Sequence, residues 1–415
     1  MKRALLVVAA LVVLGAGAAA VFAYIRWQEG QDVHGSATVE FSTSEVVPKS
    51  SPRNPVRWPT FGFDVARRHW DEGLGLEPPF RAVWTFKAKK LIEFPPALGY
   101  RRLFVQTNDG RVLSIDRRLG KVEWSKALHR CSAASPTLSD YTVYAAFMNT
   151  PPCNASGNSL NGVLVALRVR DGKERWRFSL GPSETSPLVV DGRVYVGDWR
   201  GNVYALDQRT GKLLWTYNTG GAVKGAVAYS GGNVFFGSYD HHLYCVNAKT
   251  GKLVWKAAAQ ERLGPQGTFY STPAVSYGRV YIGSTDGKVY SYGASSGELR
   301  WSHSTGNYVY ASPAVWRKLV LIGSHDENFY ALNAATGDEV WKFAAGAKIS
   351  GSATVLDGVV YVSTLGQRTF ALDAKTGHKL WTYNDGKYAG VIAGRERLYL
   401  TGYTRLYAML PKRLP

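Results

Sequence analysis

The stretch ETSPLVVDGRVYVGDWRGNVYALDQRTGKLLWTYN, residues 184–218, holds four short runs of strand-forming residues punctuated by glycine turns. The spacing predicts strands near Pro187–Val190, Arg193–Gly197, Val203–Leu206 and around Trp215, with turns at Asp191-Gly192, Arg200-Gly201 and Thr210-Gly211. Val, Tyr and Leu suit a pleated, half-buried surface, and glycine accepts the positive φ of a tight turn.

Outward from this unit the pattern recurs. A glycine precedes a tryptophan by four positions at Gly120, Gly172, Gly211, Gly251, Gly297, Gly337 and Gly377. Trp84, Trp124, Trp176, Trp215, Trp255, Trp301, Trp341 and Trp381 are separated by 40, 52, 39, 40, 46, 40 and 40 residues. A period near 40 is that of a four-stranded propeller blade. The ends are complementary: Phe80–Phe86 carries Trp84 with no turn before it, and residues 388–410 stop short of a tryptophan strand. Together they make one blade. The prediction is an all-β, eight-bladed β-propeller over 80–412, its ring closed by the amino-terminal strand so that no sheet edge is left unpaired. The eight tryptophans are expected to pack between neighbouring blades.

Before the propeller, Lys2 and Arg3 lead into an uncharged stretch from Ala4 to Ile25, closed by Arg26. Its length suits one transmembrane helix with a cytoplasmic amino end and an exported body. A cleaved signal peptide competes, since Ala18-Ala19-Ala20 or Val21-Phe22-Ala23 offers small residues to a peptidase, leaving a secreted protein. Residues 1–28 are thus read as anchor or signal, 29–57 as a flexible linker and 58–79 as an aromatic-rich cap. No cysteine precedes Cys131, so no lipid-attachment cysteine follows the apolar stretch. The chain carries 50 Lys and Arg against 31 Asp and Glu. In an exported protein this basic balance favours an anionic wall or lipid component, or an envelope protein, over nucleic acid. A monomer is expected.

The units ALDQRTGKLLW and ALDAKTGHKLW resemble the pyrroloquinoline-quinone-type (PQQ-like) propeller repeat, and the likeness covers residues 80–410. That family contains quinoprotein alcohol and glucose dehydrogenases and also BamB-like envelope scaffolds, so the resemblance implies a fold more firmly than an activity. The alcohol dehydrogenases commonly set a vicinal cysteine disulfide over the quinone, and this chain has no adjacent cysteines. Its compact blades fit the scaffolds better.

Two blades exceed the period on the face where fourth strands pass to first strands and second strands to third. The long stretches are 148–162 and 260–268. Cys131 and Cys153 should meet on that face in a disulfide, while Cys245, in place of the alanine of YALD, reads as a small buried hydrophobe. Aligning the blades on their second strands places Glu93, Ala133, Glu184, Lys224, Tyr270, Tyr310, Ser350 and Tyr388 in a ring around the channel mouth. Glu93, Glu184, Lys224, Tyr270, Tyr310 and Tyr388 are the candidate ligand-binding residues, because charges beside aromatics orient a polar ligand with an apolar face. Trp199, a tryptophan outside the repeat, is a candidate anchor for a partner. Asp240-His241-His242 and His325-Asp326-Glu327 read as turn residues, and no metal site is expected. No catalytic constellation is recognisable. The leading expectation is a non-catalytic binding or scaffold protein of the cell envelope, without a cofactor. The rival is a PQQ- and calcium-dependent alcohol or sugar dehydrogenase, with Glu184 near the calcium.

Overall fold

The computed structural model describes residues 2–43, 56–153, 161–262 and 264–412, the side chains of 2–11 and 29 excepted. Its body is eight radial sheets, six of four strands and two of five. Blade 3 is representative, with strands Leu188–Val190, Arg193–Gly197, Asn202–Asp207 and Leu213–Asn218 in simple antiparallel order. Tyr195 lies opposite Ala205, and Ala205 opposite Trp215. The second strand is buried almost throughout, because neighbouring blades cover both its faces, whereas the fourth strand alternates towards solvent.

Each repeated tryptophan of blades 8 and 1–6 locks its blade to the next. The Trp176 indole donates to the Gln208 carbonyl of blade 3 at 3.1 Å, and Trp215 donates to Ala248 of blade 4 at 3.0 Å. The same ring lies on the glycine of the next blade's turn: a Cβ on Gly211 would stand 2.5 Å from Trp176. Tryptophan and glycine are therefore two halves of one interface. The eighth blade has no such turn, and there Phe80 meets Trp381 edge-on at 5.4 Å instead. Closure follows the complementary ends: β3 (Phe80–Lys87) pairs with Arg405–Pro411, Trp84 opposite Ala408.

The segment read as a cap is a plug inside the channel. It opens with β1 (Val56–Trp58), which pairs with the innermost strand of blade 1, and reaches β2 (Trp70–Asp71), which pairs with that of blade 7. Between and beside them the carbonyls of Pro59, Val65, Ala66, Arg68 and His69 accept from Leu138, Tyr229, Val275, Val315 and Val355, on blades 2, 4, 5, 6 and 7. The innermost strands are sheet edges, and the plug supplies the acceptors their amides lack. Arg67 at its centre is fully buried and donates to Thr60, Phe61, Ser186, Pro187 and Val227.

The polar stretch expected as a flexible linker is, over its described residues, held along blades 5 and 6. Gly35 donates to Thr336 and Ser42 to Tyr277, and Arg279 donates to the carbonyls of Ser36, Val39 and Glu40. Burial would raise the Glu40 carboxyl, but hydrogen bonds from Ser295, Ser296 and Arg300 hold it down at about 2. Residues 44–55 lie outside the described set.

The amino-terminal helix α1 spans Lys2–Glu29. Among the described residues no helix is long and apolar enough to cross a membrane, so the single-pass anchor is not supported. The helix then ends on the propeller through an ion pair between Arg26 and Glu261. The side chains of Ala4 to Leu11, part of the expected span, lie outside the described set.

Candidate functional site

The plug fills the channel from one end and leaves a cavity of about 290 Å³ at the other. Phe61 of the plug lines it from below, and its wall is built from loops entering first strands: Glu93, Glu184, Lys224, Tyr270, Tyr310, Ser350 and Tyr388. Aligned positions thus converge because every blade presents the same loop to the same axis. Ala133 is the exception, buried instead beside Cys131, Met148, Phe94 and Trp199.

The acidic side of the mouth is tightly organised. Lys224 Nζ lies 3.1 Å from Glu184 Oε1, and the Trp199 indole donates to the same oxygen at 2.9 Å. The ammonium stands 4.4 Å from the Trp199 ring centre, 5.2 Å from Tyr239 and 6.0 Å from Tyr270. Trp199 is half-buried beside the lining residues rather than an exposed anchor: its indole N–H is spent on Glu184 and its ring on Lys224. Burial pushes the Glu184 carboxyl up, and Lys224, Trp199 and Tyr270 pull it back. Burial, and then repulsion from Glu184, raise Glu93 to about 7.

The other side is aromatic. Tyr270 and Tyr310 meet edge-on at 5.1 Å, and Tyr310 meets His325 at 4.8 Å. His325 Nε2 lies 2.6 Å from the Ser350 hydroxyl, and burial followed by the charge of Lys348 lowers its affinity for a proton. Lys387 at the rim covers the Tyr388 ring at 5.1 Å and Tyr403 at 4.6 Å. Ser186, Thr272, Ser312 and Ser352 form an inner belt whose hydroxyls accept from the amides of Ser135, Ala226, Thr272 and Ser312 in the preceding blades.

Tyr239 and His325 escaped the first-strand alignment although a second one holds them. Counting two residues past the glycine that ends the second strand in blades 3 to 6 gives Trp199, Tyr239, Thr285 and His325. Phe61 belongs to the single-copy plug, which no repeat could align.

The remaining candidates have structural employment. Asp240 accepts from Tyr244 at 2.5 Å, and Asp326 from Tyr330 at 2.5 Å. Among the described residues no three His, Cys, Asp or Glu side chains group to hold a metal. Cys131 and Cys153 form a disulfide with Cα atoms 5.5 Å apart, tying down the long loop of blade 2, whose residues 154–160 lie outside the described set. Cys245 is a buried free thiol that burial pushes up to about 12.

Comparison with known proteins agrees with the propeller fold. The profile of the family described as outer membrane protein assembly factor BamB matches residues 81–195, 160–309 and 309–412. BamB of Salmonella typhimurium is 31% identical over 133 residues, 30% of this chain and 31% of that protein. The quinohemoprotein alcohol dehydrogenase of Comamonas testosteroni is 33% identical over 227 residues, 52% of this chain and 25% of that protein. This chain therefore aligns with less than a third of either relative. Among solved structures, BamB from Moraxella catarrhalis superposes with a TM-score of 0.64 at 19% identity, covering 81% of this chain and 99% of that one. The Comamonas dehydrogenase gives 0.73 at 14% identity, covering 87% and 82%. Those two structural likenesses speak for the fold alone. The profile match runs through all eight blades, and the chain belongs to the PQQ-like propeller family described as outer membrane protein assembly factor BamB.

Proposed function

We propose that this protein is a non-catalytic binding or scaffold protein of the cell envelope that holds an envelope partner at its channel mouth. The observation that carries the reading is the state of the mouth's polar groups: Glu184 is committed to Lys224 and Trp199, and the aromatic arc faces an open cavity. Such a surface orients a ligand, and its Ser350–His325 pair lacks what a nucleophile and base require: no carboxylate among the described residues orients the imidazole, and burial lowers its affinity for a proton. Family membership supports the scaffold reading, since its description is that of an assembly factor. The partner, the residence in the envelope and the part played by α1 belong to the same proposal.

The second reading, a quinoprotein dehydrogenase, is favoured by the 33% identity with the Comamonas enzyme. The residues of the mouth fit it poorly. Calcium takes six to eight oxygen ligands, usually several of them carboxylates. Here one of the two mouth carboxylates is tied to a lysine, and the other is raised to about 7. Titrating the protein with PQQ in the presence of calcium, and assaying alcohol and sugar oxidation, separates the readings. The proposal expects no saturable PQQ binding and no turnover above the protein-free blank; either one would overturn it.

A further inference from the structure

The mouth holds two carboxylates and one cation, and that cation is already used. Lys224 is fixed between Glu184 and the rings of Trp199 and Tyr239. Glu93, on the adjoining wall, makes no hydrogen bond or ion pair with its carboxyl among the described residues, and the one charge acting on it is the repulsive one of Glu184. Lys387 is turned over Tyr388 and Tyr403, and Lys348 acts on His325. A carboxyl in an apolar setting with no counter-ion is a costly arrangement that a cation relieves.

Resting on the reading of the mouth as a binding site, we infer that its ligand is a cationic side chain, the ammonium of a lysine or the guanidinium of an arginine presented by a partner polypeptide, with Glu93 as the counter-ion. Three observations converge on this class. The cavity, about 290 Å³, is of a size to admit a single extended side chain. Its lining includes, with Glu93, the rings of Phe61, Phe94, Tyr270 and Tyr388, and aromatic rings of this kind cover an apolar stem and attract a cation. The same mouth already holds an ammonium in this way, that of Lys224. An anionic ligand would have to take Lys224 from Glu184 and sit beside a second carboxylate.

The pH dependence follows from the groups around the cavity. Glu184, Lys224, Tyr239, Tyr270, Tyr310 and His325 line it with Glu93, and Lys348 and Lys387 stand at the rim. Burial raises Tyr239, Tyr270 and Tyr310 and lowers His325; it raises Glu184 too, but Lys224 and Trp199 hold that carboxylate, which leaves Glu93, at about 7, as the unpaired group that changes charge near neutrality. Affinity for a cation therefore rises with pH through 7.

The test titrates the full-length protein with Nα-acetyl-lysine amide and Nα-acetyl-arginine amide, using the uncharged Nα-acetyl-norleucine amide as comparison, by calorimetry at pH 6 and pH 8. At least one cationic probe should bind saturably, at least about tenfold more tightly than the norleucine probe, and tighten by roughly tenfold between the two pH values. Glu93→Gln should remove that pH dependence, and Tyr141→Ala, on the opposite face, should leave binding unchanged. A carbon NMR titration of the Glu93 carboxyl should show its pKa fall when the cationic probe is present, a readout independent of any variant. Equal binding of the norleucine probe, affinity indifferent to pH, or no binding overturns the inference. A crosslinker placed at Tyr388 keeps the two proposals apart. If it captures an envelope protein that neither cationic probe displaces, the cation assignment fails while the binding reading stands; if it captures nothing, both fail.

Discussion

Gly211 has φ +71° and lies under the Trp176 ring, so two independent constraints exclude any side chain there. Gly211→Ala should cost roughly 2–4 kcal/mol from φ strain and overpacking, seen as a lowered midpoint in urea unfolding. Glu93 has the opposite character, since the folded state resists its ionisation. A carboxyl raised from its ordinary value near 4.5 to about 7 holds its proton longer folded than unfolded. The unfolded chain therefore binds fewer protons between those values, and stability falls as pH rises from about 4.5 to 7. Glu93→Gln escapes this loss, and should be more stable than the parent at pH 8 by roughly 2 kcal/mol and equal to it at pH 4, as thermal unfolding at the two values will report. The sequence announced both residues, Gly211 by its fixed distance from Trp215 and Glu93 by its alignment with the other ring positions. It did not announce that Trp199 faces Glu184, because that contact joins two loops of one blade through side-chain rotamers.

At the scale of elements, the repeat made the blade strands legible and left the single-copy segments obscure. The plug shows why. Its hold on the ring is mostly through backbone carbonyls such as those of Pro59 and His69, which leave no mark on residue type. The Glu40 hold on Ser295, Ser296 and Arg300 joins residues more than 250 positions apart, and nothing local signals it. Arg67 is the plug residue with the most to lose, because its guanidinium binds several carbonyls around the channel. Arg67→Ala should cost roughly 3–5 kcal/mol by stranding those acceptors. It should also expose the plug to protease, with cleavage between 56 and 79 read by mass spectrometry.

For the whole molecule, ring closure sets the geometry on which the function depends. Because β3 completes the last blade, the eight first strands keep a fixed order about one axis, and the mouth inherits that order. Phe61 of the plug lines the mouth's cavity, and the proposed partner would meet the ring there. The docked end of α1 lies at the edge of this same mouth: Trp27 shares a second cavity with Tyr239 and Tyr310. The measurement that tests the central claim most directly places a photo-crosslinking amino acid at Tyr388 of the mouth and, separately, at Tyr141 on the far face, in cells that produce the full-length protein. The account predicts a discrete adduct with an envelope protein from Tyr388 and none from Tyr141. Adducts from Tyr141 alone would contradict it.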